Sequence, residues 1–303
     1  MHVLIALTGA FESGLLYALM ALGVYITYRV LDFPDLTVDG SFTTGAAIAT
    51  VMTLNGTTPI LSLICAFIGG GLAGLMTGLL HTKGKINGLL SGIIVMIALY
   101  SINLRIMGKP NLSLRGEANL FDGASVLVVG LIMAIGVKLL LDLFFKTNIG
   151  LSLRATGDNQ RMIKSFGANT DRTTIIGVSL SNALVATSGA LIAFSTNQTN
   201  NNMGVGMIVI GLASVIIGEA IFGKKSIFRT TLAVVMGAII YRLIYALALR
   251  VPGMDAQDMK LITAVIIVGA LVIPTIRSAI QEKQVSRKRA AEVIDKIASK
   301  GGA

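Results

Sequence analysis

The chain has 303 residues, of which 54% are hydrophobic and 13% charged, with a mean hydropathy of +0.80. A soluble domain cannot keep that much apolar surface out of water, so the composition defines an all-α, polytopic integral membrane protein. The net charge of +10 comes from short cationic clusters between apolar segments and in the tail, the positive-inside pattern, which excludes nucleic acid as a partner and leaves membrane lipid as the surrounding medium.

A crossing helix needs about 20 apolar residues. Residues 6–30 meet this with Glu12 as the only acid, and the absence of a basic stretch before them predicts a first span and not a cleaved signal peptide. LDFPDLTVDG, 31–40, breaks the helix with Pro34 and three aspartates, and 41–54 is apolar but short, a half-helix or a supported short crossing. Residues 59–80 form a span whose Gly69, Gly70, Gly71 and Gly74 permit close helix approach. Further spans are predicted at 86–104 and 124–145, the latter with Lys138 and Asp142 four apart on one face, where they can pair. Beyond 148–172 come spans at 173–194, 203–222, 227–249 and 261–276, separated by STNQTNNN at 195–202, GKKSIFR at 223–229 and a loop at 250–260. A basic tail, 277–303, follows the transmembrane domain at 1–276.

The cationic clusters at 81–85, 146–172, 224–229 and 277–300 fall on alternate span ends, so all can be cytoplasmic. About nine membrane segments, with the N-terminus outside and the C-terminus in the cytoplasm, satisfy this if 41–54 crosses. If it only re-enters, the N-terminus lies inside.

NIGLSLRATGDNQRMIKSFGANTDR, 148–172, is the longest polar interruption. It has too few apolar residues to cross and is longer than a connection requires, with internal start and stop signals. Asp158 is expected to cap a short helix, Gly167 to end it in a left-handed turn, and Thr156-Gly157 to bend. The bland alternative is an idle, soluble loop. Cys65 is the only cysteine, and His2 and His81 are the only histidines, so no disulfide within the chain and no metal site is expected.

Three stretches carry a resemblance. Gly150, Arg154, Ala155, Gly157, Asn159, Gly167 and Asn169 resemble the cytoplasmic coupling segment of ABC importer permeases for branched-chain amino acids, ribose and related nutrients. Asp35, Leu36, Thr37, Val38, Ser41 and Gly45 resemble that family's early Asp-Leu-Ser/Thr-Val-Gly-Ser stretch, and IGLASVIIGEAIFG, 210–223, its late membrane stretch. NGLLSGIIVMIALYSINLRIMGKPN, 87–111, is most similar to the tryptophan/tyrosine-type branch. Arg161 and Met162 depart from the small residues of many relatives, and Glu219 from a small residue or glycine. The resemblance implies a permease working as a pair, with two ATP-binding cassette ATPase subunits below and a solute-binding protein above.

No GxxxxGK[ST] phosphate loop occurs, so ATP and Mg would be used by another polypeptide, with no cofactor bound and no catalytic residue in this chain. Carboxylates and histidines are too sparse for a proton relay or an enzyme site. Energy would enter through 148–172, with Met162, Ile163 and Phe166 as apolar anchors, Arg154, Arg161 and Lys164 as rim charge, Gly157 and Gly167 as turning points, and Asp158 and Asn159 between them. Candidates for the substrate pathway are Glu12, Asp35, Thr37, Asp39, Ser41, Ser214 and Glu219. Each has a structural alternative: an ion pair for Glu12, helix capping for Asp35 and Asp39, and a pair with Lys224 or Lys225 for Glu219. Arg242, with Tyr241 and Tyr245, reads as a snorkelling arginine among interfacial tyrosines, with a site for a carboxylate and an aromatic ring as the alternative. Residues 105–123 and 195–202 are candidates for docking a binding protein. A stand-alone secondary transporter or channel is the competing class, and it would have no need of the capped segment.

Overall fold

The computed structural model describes residues 2–116 and 119–249 and isolated positions between 261 and 272. The loop at 250–260, most of the predicted last span and the basic tail lie outside the described residues. The fold is helical. Helix α1 (His2–Tyr25) runs on into a π-helical turn, Ile26–Val30, and after an extended piece the chain forms α2 (Thr37–Leu54), α3 (Pro59–Thr82), α4 (Gly88–Met107) and α5 (Val126–Phe144). Two short helices, α6 (Asn148–Asp158) and α7 (Gln160–Ser165), precede α8 (Thr170–Thr196), α9 (Met207–Phe222) and α10 (Ile227–Ala248).

Local chemistry sets many of these ends. Pro59 opens α3, where its missing N–H is not needed, and side chains of Asn87, Ser125 and Ser226 accept from the first free N–H groups of α4, α5 and α10. The break after α1 is shorter than the sequence suggests. Helix resumes at Thr37, so Asp39 and Gly40 are helical, and 41–54 is the greater part of an 18-residue helix.

Helices α1 and α8 are buried on nearly every side and form the centre, with 72% and 78% of their most apolar windows buried. Helices α3, α4 and α5 turn Leu72, Ile97 and Leu140 outward, as helices bordered by hydrocarbon do. Among the described residues six helices, α1 with its π-turn, α3, α4, α5, α8 and α10, are long and apolar enough to cross a membrane, while α9 is apolar but shorter. Gly70 and Gly74 bring α3 against the backbone of α8 at Asn182 and Val178, so the small-residue stripe of α3 is a packing surface.

The two ends differ. At one, strand β1 (Asn111–Ser113) pairs antiparallel with β2 (Gln198–Asn200), Leu112 opposite Thr199, and Asn119 Nδ2 donates to the Phe194 carbonyl at 2.6 Å and to Asn197 Oδ1 at 2.8 Å. The polar stretches at 105–123 and 195–202, predicted as separate loops, are thus knitted together. The opposite, basic end carries α6 and α7.

Candidate functional site

Segment 148–172 is built by capping and close approach. Thr147 Oγ1 accepts from Gly150 N at 3.2 Å to start α6, and Leu153 is buried with Leu31 and Val178. Thr156 Oγ1 and Thr173 Oγ1 lie 3.1 Å apart, tying α6 to the start of α8. Gly157 touches the π-turn so closely that a Cβ there would collide with the Val30 carbonyl. The expected bend at Thr156-Gly157 is therefore absent. Helix α6 continues through it to Asp158, held by this contact, and the chain turns at Asn159 (φ −158°, ψ 89°).

The expected cap is likewise displaced by one residue. Asn159 Oδ1, and not Asp158, accepts from Met162 N at 3.0 Å to open α7. Gly167 (φ +83°) ends α7 as predicted, its N–H donating to the Lys164 carbonyl at 3.0 Å, and Asn169 Oδ1 accepts from Arg172 N to open α8. The residues of the sequence pattern thus have separate jobs: close approach for Gly157, capping for Asn159 and Asn169, and the left-handed turn for Gly167.

Helix α6 is pinned on its inner side, whereas α7 buries none of its residues. Arg161 and Met162 are exposed, Ile163 is half-buried, and Phe166 is 78% exposed. Beside α6 lies a polar cleft of ≈ 380 Å³, lined by Tyr25, Arg29, Arg154, Asp158, Glu219 and Lys224 among others. In it Arg29 Nε meets Glu219 Oε1 at 3.0 Å. Glu219 is paired, as one alternative anticipated, but with Arg29 and not with Lys224 or Lys225. Those lysines stand exposed on the same cleft, just past the end of α9.

The chain interruption after α1 is filled by its own carboxylates. Asp35 Oδ1 accepts from Thr37 N at 2.9 Å and its Oδ2 from Asn182 Nδ2 at 2.6 Å. Asp39 reaches across to α9, whose preceding Gly206 has no side chain to cap with, and accepts from Gly206 N at 2.8 Å and Ile208 N at 2.9 Å. Backbone N–H groups at the starts of α2 and α9 account for three of the four carboxylate oxygens and the Asn182 amide for the fourth, and Asp39 acts between helices. Thr37 Oγ1 lies 2.6 Å from Thr77 Oγ1, Ser214 Oγ donates to the Ile210 carbonyl within its own helix, and Ser41 Oγ is buried with no hydrogen-bond partner among the described residues.

The pathway candidates do not converge on one cavity. Asp35, Thr37, Asp39 and Ser41 cluster around the break, whereas Glu219 is at the basic end. Glu12, part-buried, lies on α1 about 26 Å of helix rise from Arg29 and makes no ion pair among the described residues. The Lys138–Asp142 pair is formed at 2.6 Å, and Thr231 Oγ1 donates to Asp142 Oδ1 at 2.7 Å, joining α5 to α10. Sequence reasoning missed Asn182 and Thr231, polar residues inside apolar runs, and it missed Arg29, the lone cation closing the first span.

A bundle that pairs most of its buried polar groups internally while turning apolar faces outward is a multi-pass membrane protein, and the interruption between α1 and α2 is of the kind found in transporters. Residues 6–274 match the family described as branched-chain amino acid transport system / permease component. The chain belongs to this family of ABC permeases, in its tyrosine-type branch. It is 44% identical over 289 residues to the tyrosine transport system permease protein of Clostridioides difficile strain R20291, covering 95% of this chain and 96% of that one. It is 32% identical over 274 residues to protein RP368 of Rickettsia prowazekii strain Madrid E, covering 88% and 96%. Its fold is similar to a chain in the structure of PsaBC from Streptococcus pneumoniae in complex with Fab, with a TM-score of 0.54 at 12% identity, covering 89% and 91%.

Proposed function

We propose that this chain is the membrane-spanning subunit of an ATP-driven importer for an aromatic amino acid. It works as a pair with two ATPase subunits on its basic, cytoplasmic end and a solute-binding protein at the β1–β2 end. The observation that carries the reading is the contrast within 148–172: α6 is locked to the bundle at Leu153, Thr156 and Gly157, while α7 leaves Met162 and Phe166 bare. A segment fixed on one side and apolar on the other suits a lever seated in a moving cleft. Push from a partner on α7 would pass through Gly157 to the π-turn, and through Arg29 to α9. The tyrosine transport relative supports the substrate class, and ATP and Mg are used by the partner.

Affinity purification of the full-length permease from its own cells tests this. An ABC ATPase should co-purify with the unaltered chain and be lost from Met162→Asp/Phe166→Asp, while the amount of permease in the membrane is unchanged. Equal recovery of ATPase with that variant would contradict the lever.

A further inference from the structure

Most charges buried or half-buried in the described bundle are matched, and Glu12 and Arg242 are among those without an ion pair. Arg29 meets Glu219, Lys138 meets Asp142, and Asp35 and Asp39 hold backbone and amide donors. Arg242 meets no acidic side chain among the described residues, and its Nε is buried without an acceptor. It lies on α10, 15 residues past Ile227, roughly 22 Å along the helix axis.

Arg242 is placed among tyrosines, as the sequence suggests. Gly14 of α1 packs on Ile239 of α10, and Tyr17 lies one turn further toward the basic end of α1. The guanidinium sits over the Tyr17 ring, Cζ 3.9 Å from its centroid. Tyr17 is itself stacked on Phe42 (5.9 Å, 8°), and Cζ is also 5.6 Å from the Tyr245 ring, which stacks on Tyr241 (6.3 Å, 22°). Glu12, the nearest acid along α1, stands about 160° round that helix from Gly14 and so faces away from α10.

A guanidinium resting on aromatic faces is stabilised through its flat side, which leaves its in-plane N–H donors for an acceptor. A cation within an apolar helix with no acidic partner among the described residues is a candidate functional position. Arg242 and Tyr245 are part-exposed. The geometry points to a carboxylate-binding station inside the membrane: Arg242 takes the carboxylate in a forked pair of hydrogen bonds, and the ligand's aromatic ring extends the tyrosine stacks. This rests on the importer reading for its route. It deepens that reading by giving the permease, and not only a separate binding protein, a part in recognising an aromatic amino acid.

The test uses the full-length permease alone in lipid nanodiscs with radiolabelled L-tyrosine. Saturable binding is expected, displaced by 3-(4-hydroxyphenyl)propionate, which keeps the carboxylate and ring, and roughly ten- to a hundredfold less well by tyramine, which lacks the carboxylate. Arg242→Met should lose the binding and Arg242→Lys retain part of it. If Arg242→Met does not insert, the competitor series on the unaltered chain still decides. Absence of saturable binding, equal displacement by tyramine, or full binding by Arg242→Met would each overturn the station. ATP-driven uptake without such binding would refute the station and leave the importer standing, and binding without ATP-driven uptake would do the reverse.

Discussion

At Gly157 the fold admits nothing larger than hydrogen, because the Val30 carbonyl occupies the space a side chain would need. Gly157→Leu should force α6 off the π-turn and reduce ATP-driven uptake at least about tenfold while membrane insertion persists. Asp158→Leu, at an exposed position, should have a much smaller effect. Uptake assays on the two variants, normalised to permease in the membrane, check this order. The same residue explains why the sequence misplaced the bend. Asp158 and Asn159 are both good caps, and local chemistry alone does not choose between them. A contact with Val30, more than a hundred residues earlier, keeps α6 helical through Gly157 to Asp158 and hands the cap to Asn159. Likewise Lys224 and Lys225 are the natural sequence neighbours for Glu219, yet Arg29, 190 residues away, is the partner. That pair is partly solvated, with side-chain exposures of 40% and 15%, so a double-mutant cycle with Arg29→Gln and Glu219→Gln should give a coupling of about 1 kcal/mol or less.

Between elements, the buried Lys138–Asp142 pair and Thr231 form a clamp from α5 to α10, with Lys138 Nζ also placed 3.0 Å from the centroid of the Phe228 ring. Removing one partner strands a charge. Asp142→Leu should therefore lower thermal stability by about 3 kcal/mol, whereas Lys138→Met/Asp142→Leu should recover most of that loss. Melting curves of the two variants in detergent measure the difference, and equal losses would count against the clamp. The spacing of four made the pair legible from the sequence, but its attachment to α10 was not, since Thr231 is an ordinary residue until packing brings it to Asp142. Helix α7 presents the opposite case, six residues with no buried side chain. Asn159→Ala should remove about 1 kcal/mol of capping and raise amide exchange in α7 while α6 stays protected.

Across the whole molecule, the helical membrane architecture was legible because hydropathy reports burial in lipid directly, and the capped segment because glycine and asparagine carry their turn chemistry locally. The β1–β2 pairing was hidden, as strands of three residues from loops nearly ninety positions apart leave no periodic signal. Under the proposed assembly this small sheet is where a solute-binding protein lands. Asn200→Trp, at an exposed position on it, should weaken binding-protein-stimulated ATP hydrolysis without removing the ATPase from the complex. The central claim is that the chain is a passage driven by a separate motor. L-tyrosine flux into liposomes, with the permease alone and then with its ATPase, its binding protein and ATP, tests this most directly. Accumulation is predicted only when all are present. Rapid, saturable flux through the permease alone, without nucleotide, would contradict the account.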